Sequence, residues 1–149
     1  MHVFRSAGSF LTGLVLTGLV LASRALAGPA MAQDSWPDLV GTWVGTSRAI
    51  VMANGGHYTG SGQGEQPRFV SSELVVTFTQ QDRGRYIGTI TSAGHAEPKL
   101  MVVAEDRKTL RTTDNDGTSM GTILDANSFE LCYAQNNPSV VSCVVFRRR

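Results

Sequence analysis

The chain has 149 residues, with thirteen Lys or Arg, twelve Asp or Glu and a formal net charge of +1. So even a balance excludes the basic face on which nucleic-acid binding depends. The length suits one domain with one core and leaves no room for a second.

Met1 to Arg5 is short and basic, and Phe10–Ala22 ("FLTGLVLTGLVLA") is an uncharged apolar run of thirteen residues. A membrane-spanning helix needs about 20 apolar residues, and Arg24 blocks any extension. Small residues follow at Ala25–Ala27 and Ala30–Ala32. Basic start, short apolar run and small-residue cleavage site together read as a secretory signal peptide. The signal peptide is assigned to residues 1–32, with cleavage after Ala32 and Ala27 as the alternative. Residues 33–149 are then a single exported domain, periplasmic or secreted, with no membrane span after cleavage. They carry eleven basic and twelve acidic side chains.

Beyond Trp36-Pro37 no long segment has helical period. Short runs rich in Val, Ile, Thr, Phe and Tyr alternate with Gly, Asp, Asn and Pro, which is an all-β pattern. The first strand is expected over Leu39–Met52, with a bend or bulge where Ala49, Ile50, Val51 and Met52 crowd together. The second covers Phe69–Thr79, and "QDRG" (Gln81–Gly84) turns the chain into a third, Arg85–Thr91. "GHAEP" (Gly94–Pro98) reads as a break, and the fourth strand as Lys99–Glu105. The fifth is Thr109–Thr113, the sixth Thr118–Leu124, the seventh Ser128–Gln135 and the eighth Val140–Arg147. "DNDG" (Asp114–Gly117) and "NNPS" (Asn136–Ser139) are turns, because Asn and Gly tolerate positive φ. The terminal Arg147-Arg148-Arg149 reads as a solvated tail.

Short turns make neighbouring strands antiparallel. An open meander of eight strands leaves two reactive edges, and closure removes them. The expected fold is therefore all-β, an eight-stranded antiparallel up-and-down barrel, with a two-sheet sandwich as the competitor. A membrane barrel needs longer strands and aromatic girdles, and aromatics are scarce here.

The two cysteines fix a register. Centring the "NNPS" turn between Asn137 and Pro138 sets Cys132 opposite Cys143. Phe129 then faces Phe146, Leu131 faces Val144, and Tyr133 faces Ser142. The second set points to the core and the cysteines point outward; a one-residue slip would break both patterns. In an exported chain this pair reads as a disulfide.

The turns also sort by end. "QDRG", "DRK" (Asp106–Lys108) and "DANS" (Asp125–Ser128) are tight and fall at one end. The other end carries the long segment 54–68, His95 and Glu97, Asp114 and Asp116, and Asn136-Asn137. Long loops at one mouth are the usual place for function on such a scaffold. The candidate ligand-binding residues are His57, Tyr58, Glu65, His95, Glu97, Asp114 and Asp116. Two histidines and a carboxylate are zinc-binding or acid–base chemistry, but their spacing matches no metal motif, so no metal, cofactor or catalytic residue is assigned. No G-x-S-x-G elbow is present.

Leu39–Gly45, "LVGTWVG", with Gly41-Thr42-Trp43 on the first strand of a small exported barrel, resembles lipocalins and avidins. Intracellular nitrobindin-type barrels open similarly. The resemblance implies that Trp43 closes the barrel floor, with Arg147 or Arg148 stacked on it. Small periplasmic inhibitors of bacterial metalloproteases resemble the same plan, but their cysteines sit early in the chain and these sit late. The expectation is a barrel that binds a small-molecule ligand or protein partner at its loop-bearing end. A protease inhibitor or other protein-binding module, inserting Gln33–Asp38 or the mouth loops into its target, is the alternative, and a small barrel enzyme comes third.

Overall fold

Alternating inward apolar and outward polar side chains shape the chain in a computed structural model, which describes residues 35–52, 57–58 and 66–149. The signal peptide assigned to residues 1–32 lies outside the described residues. The strands are β1 (Gly41–Val51), β2 (Arg68–Asp82), β3 (Arg85–Ser92), β4 (His95–Val103), β5 (Thr109–Thr113), β6 (Thr118–Asp125), β7 (Ser128–Asn136) and β8 (Ser139–Arg148). Each pairs antiparallel with its neighbour in sequence, and β1 pairs with β8, so the sheet is a closed barrel. No helix interrupts the described residues.

The β7–β8 ladder has the expected register. Cys132 opposes Cys143, Leu131 opposes Val144 and Phe129 opposes Phe146, and the two cysteines form a disulfide with their Cα atoms 4.1 Å apart. Phe129, Leu131, Val144 and Phe146 are buried in the main core with Trp43, Leu74, Val76, Phe78 and Tyr86.

Three expectations need correction. The bulge foreseen in β1 is absent. Its register against β2 runs unbroken from Gly41 to Val51, because Ala49 and Val51 turn inward while Ile50 and Met52 turn outward. The register shifts lie instead at Phe78/Gln80 in β2 and at Ile123/Asp125 in β6. Next, Gly94–Pro98 is not a break, since β4 begins at His95. The Val103 amide donates to the Gly84 carbonyl at 2.8 Å. Hydrogen bonds to β3 therefore fall at odd-numbered residues of β4, and Pro98, which has no N–H, faces the other side. There β5 starts to pair only at Leu100. Finally, the terminal arginines are not a free tail. Closing the barrel requires β8 to run to the start of β1, so Arg147 pairs with Val44 and Arg148 with Trp43. The Arg149 amide donates to the Thr42 carbonyl at 2.9 Å.

Trp43 forms the floor. Its ring is fully buried, its Nε1 donates to the Leu39 carbonyl at 2.9 Å, and Phe129 packs at 4.9 Å between centroids. Of the two arginines left open by the resemblance, Arg148 is the one that stacks, its Cζ 4.2 Å from the Trp43 ring centroid. Its guanidinium also donates to the carbonyls of Val40 at 2.8 Å and Asp38 at 2.7 Å. Trp36 covers the same end. Arg107 lies 4.3 Å over its ring, and the β2–β3 turn passes beneath it at Gly84. This glycine has φ +75°, and a Cβ there would sit 2.3 Å from the Trp36 ring. Pro37 offers its carbonyl to the Tyr86 hydroxyl and to Gln81 Nε2. Residues 36–38 are thus fastened to the floor.

Candidate functional site

The opposite end is built around the inward face of β4. In a strand, alternate residues share a face, so His95, Glu97 and Lys99 point into the barrel above buried Met101 and Val103. His57 and Tyr58 come from the long β1–β2 connection and turn inward over the same mouth. Tyr58 is buried with Ala49, Val51 and Val140 in a second small core, and its hydroxyl donates to Ser142 Oγ at 2.6 Å.

Five ionisable groups meet here. His57 Nε2 lies 3.0 Å from Glu97 Oε1, and His57 Nδ1 lies 2.7 Å from Ser92 Oγ. His95 Nε2 is 3.9 Å from Glu97 Oε2, and the two imidazoles meet edge to face at 4.5 Å between centroids. His95 Nε2 and Glu97 Oε2 are both buried with no hydrogen-bond partner among the described residues. One potential ligand atom from each of His57, His95 and Glu97 lies within 4.8 Å of the others. Just beneath, Lys99 Nζ contacts Asp114 Oδ2 at 2.7 Å, with side chains 1% and 2% exposed.

Charge and burial set the protonation states. Burial, reinforced by neighbouring His95, lowers the His57 pKa to about 4, so its imidazole is neutral at pH 7. Burial also raises the Glu97 carboxyl, and the Asp114 and Asp116 charges push it the same way. The Tyr133 phenol is raised by burial first and by Asp114 next. Lys99, whose Nζ meets Asp114, lies two residues beyond Glu97 on the same inward face of β4.

The expected site residues divide accordingly. His57, Tyr58, His95, Glu97 and Asp114 converge at the mouth. Asp116 stays exposed on the β5–β6 turn, where its amide donates to Asp114 Oδ1 at 3.3 Å. Glu65 lies outside the described residues. Sequence reasoning missed Lys99, Ser92 and Ser142. The signal for Lys99 is its place two residues after Glu97 on β4, which begins at His95.

The interior beneath this cluster is nearly full. Its cavity, lined by Tyr58, Lys99, Asp114, Ser119, Tyr133 and Ser142 among others, measures about 30 Å³. Pockets for drug-sized ligands are roughly 300–1,000 Å³, and this space suits about one water molecule. Outside the same rim, Phe69 is 89% exposed. It pairs with Ile50, which pairs in turn with Val141, and both are exposed. Compared with known protein-family models and with curated protein sequences, the chain matches none.

Proposed function

We propose that this protein is a small exported binding module that takes its ligand or partner on the rim of the loop-bearing end. The observation that carries this reading is the gathering of His57, His95, Glu97, Lys99 and Asp114 at one mouth, while Trp36, Trp43 and Arg148 seal the other. The closed eight-stranded antiparallel barrel is consistent with a lipocalin-like fold at a coarse level, while the small interior cavity favours contact at the rim over enclosure of a small molecule. The exposed row Phe69–Ile50–Val141 beside the mouth supplies an apolar anchor for a protein partner. Fastening of Trp36, Pro37 and Asp38 to the floor weighs against an inhibitor that inserts this segment. The disulfide accords with export, and charged side chains such as Glu73, Arg85 and Arg111 on the outer wall accord with a barrel surrounded by water.

Native mass spectrometry of the protein recovered from its own compartment tests this. The reading expects a retained species that Phe69→Asp releases and floor-end Lys108→Ala keeps. A chain that carries nothing, or a species lost equally in both variants, contradicts it.

A second reading rests on the Ser92–His57–Glu97 chain of contacts, which has the order nucleophile, base, acid. It ranks lower because a histidine with pKa about 4 is a weak base at neutral pH. Labelling of Ser92 by a fluorophosphonate, abolished in Ser92→Ala, would support it; an unlabelled protein would dismiss it.

A further inference from the structure

Three potential metal ligands meet at the mouth, and two of their buried atoms have no hydrogen-bond partner among the described residues. The Glu97 side chain is only 3% exposed, and its Oε2 has no hydrogen-bond partner among the described residues. The nearby ammonium of Lys99 is engaged by Asp114 at 2.7 Å and by Ser119 Oγ at 3.4 Å. A buried carboxyl oxygen without a partner is costly, and a buried imidazole nitrogen, His95 Nε2, also without a partner among the described residues, stands beside it. We infer that His57 Nε2, His95 Nε2 and a Glu97 carboxylate oxygen form a binding site for a divalent transition-metal ion, best matched by zinc. This inference rests on the reading of the loop-bearing end as the binding end.

The donor set and spacing fit. Two imidazoles and one carboxylate suit zinc, and three protein ligands leave a fourth position for water or an incoming group. Ligands about 2.0 Å from a tetrahedral ion lie about 3.3 Å from one another. Here one ligand atom from each of the three residues lies within 4.8 Å of the others, with His57 Nε2 3.0 Å from Glu97 Oε1 and His95 Nε2 3.9 Å from Glu97 Oε2. Ser92 provides the outer support that metal-bound histidines need. Without a metal, in the tautomer whose Nε2–H donates to Glu97 Oε1, Nδ1 accepts from the Ser92 hydroxyl. With the metal, Nδ1–H donates to the Ser92 oxygen, and the Nε2 lone pair turns to the ion. A hydroxyl both donates and accepts, so the exchange requires no movement of Ser92. His95, whose side chain is 36% exposed, marks the solvent side from which an ion enters. Histidine occurs three times in the chain, and His57 and His95 are the two beyond the signal segment.

The test uses the full chain as its host processes it, stripped with a chelator, without an affinity tag, and titrated calorimetrically with zinc chloride alone. One zinc per chain is expected, and cobalt(II) in its place should give the intense visible bands of a tetrahedral site. Glu97→Gln and His95→Gln should each weaken zinc by more than about 100-fold, beyond the 10–100-fold that losing an outer partner costs. Ser92→Ala should weaken it by about 10-fold. Circular dichroism of each variant establishes that the barrel persists. Failure to take up zinc, or zinc bound by the two ligand variants as tightly as by the unaltered chain, overturns the site. If zinc is refused while Phe69→Asp still releases a partner, the site fails and the rim reading stands. If zinc binds and no other species is retained, the site stands and the macromolecular partner fails.

Discussion

Lys99 on β4 and Asp114 at the end of β5 form an ion pair at 2.7 Å with both side chains almost fully buried beneath the mouth. Removing one partner strands the other charge in a poorly solvated place, which typically costs about 3–5 kcal/mol. Lys99→Met should therefore destabilise the barrel by roughly that amount. Asp114 also accepts from the Gly117 amide at 2.9 Å, so Asn serves better than Leu as its neutral replacement. Lys99→Met with Asp114→Asn should recover much of the loss, measured by urea unfolding as a double-mutant cycle.

Arg148 ties the last strand to the floor through its stack on Trp43 and two carbonyl contacts. Hydrogen bonds from a charged group contribute about 1.5–3 kcal/mol, so Arg148→Ala should cost about 2 kcal/mol or more. Arg148→Lys should recover only part, because an ammonium has neither the planar stack nor the fork. Trp43→Ala empties the floor and should cost about 3–5 kcal/mol. Denaturation midpoints of the three variants check the ranking.

The Cys132–Cys143 disulfide joins residues eleven apart in sequence. A loop this short contributes at most about 3 kcal/mol by restricting the unfolded chain. The double variant Cys132→Ala, Cys143→Ala should lose up to that amount and still form the barrel, since Phe129, Leu131, Val144 and Phe146 hold the same register. The unaltered protein, denatured without reductant, should show no titratable thiol.

Asp106 sets the β4–β5 turn. A side-chain hydrogen bond from Thr109, joined by the Thr109 and Lys108 amides, lowers its pKa to about 2. A lowered carboxylate favours the fold above its unfolded pKa and loses that effect as pH falls through the folded value. The turn should thus be fully supported above about pH 4 and weaken toward pH 2. An NMR titration of the Asp106 carboxyl carbon should give a midpoint near 2, and Thr109→Val should move it upward.

Much of the fold was legible because several patterns demanded one answer. In β7 and β8 the apolar pairs, the cysteines and the turn all required the same register, and it is the one observed. The barrel itself followed from short turns between eight strands. The candidate site was legible only as a list of residues at one end. Gly94 and Pro98 read as breakers, which sets His95 and Glu97 on a loop, where their spacing of two has no meaning. On a strand it sets them on one inward face with Lys99. The sequence also could not show that Tyr58 fills the mouth, because an aromatic in a glycine-rich connection has no periodic context to orient it. The fate of Arg148 was hidden for a related reason: three terminal arginines look solvated until closure gives each backbone a partner on β1.

Diffraction at the zinc absorption edge, from crystals of the host-processed protein grown with zinc chloride, probes the mouth most directly. The account predicts one anomalous peak per chain, placed among His57 Nε2, His95 Nε2 and the Glu97 carboxylate. Peaks confined to the outer wall, or an intact His57–Glu97 hydrogen bond with no peak beside it, would contradict it.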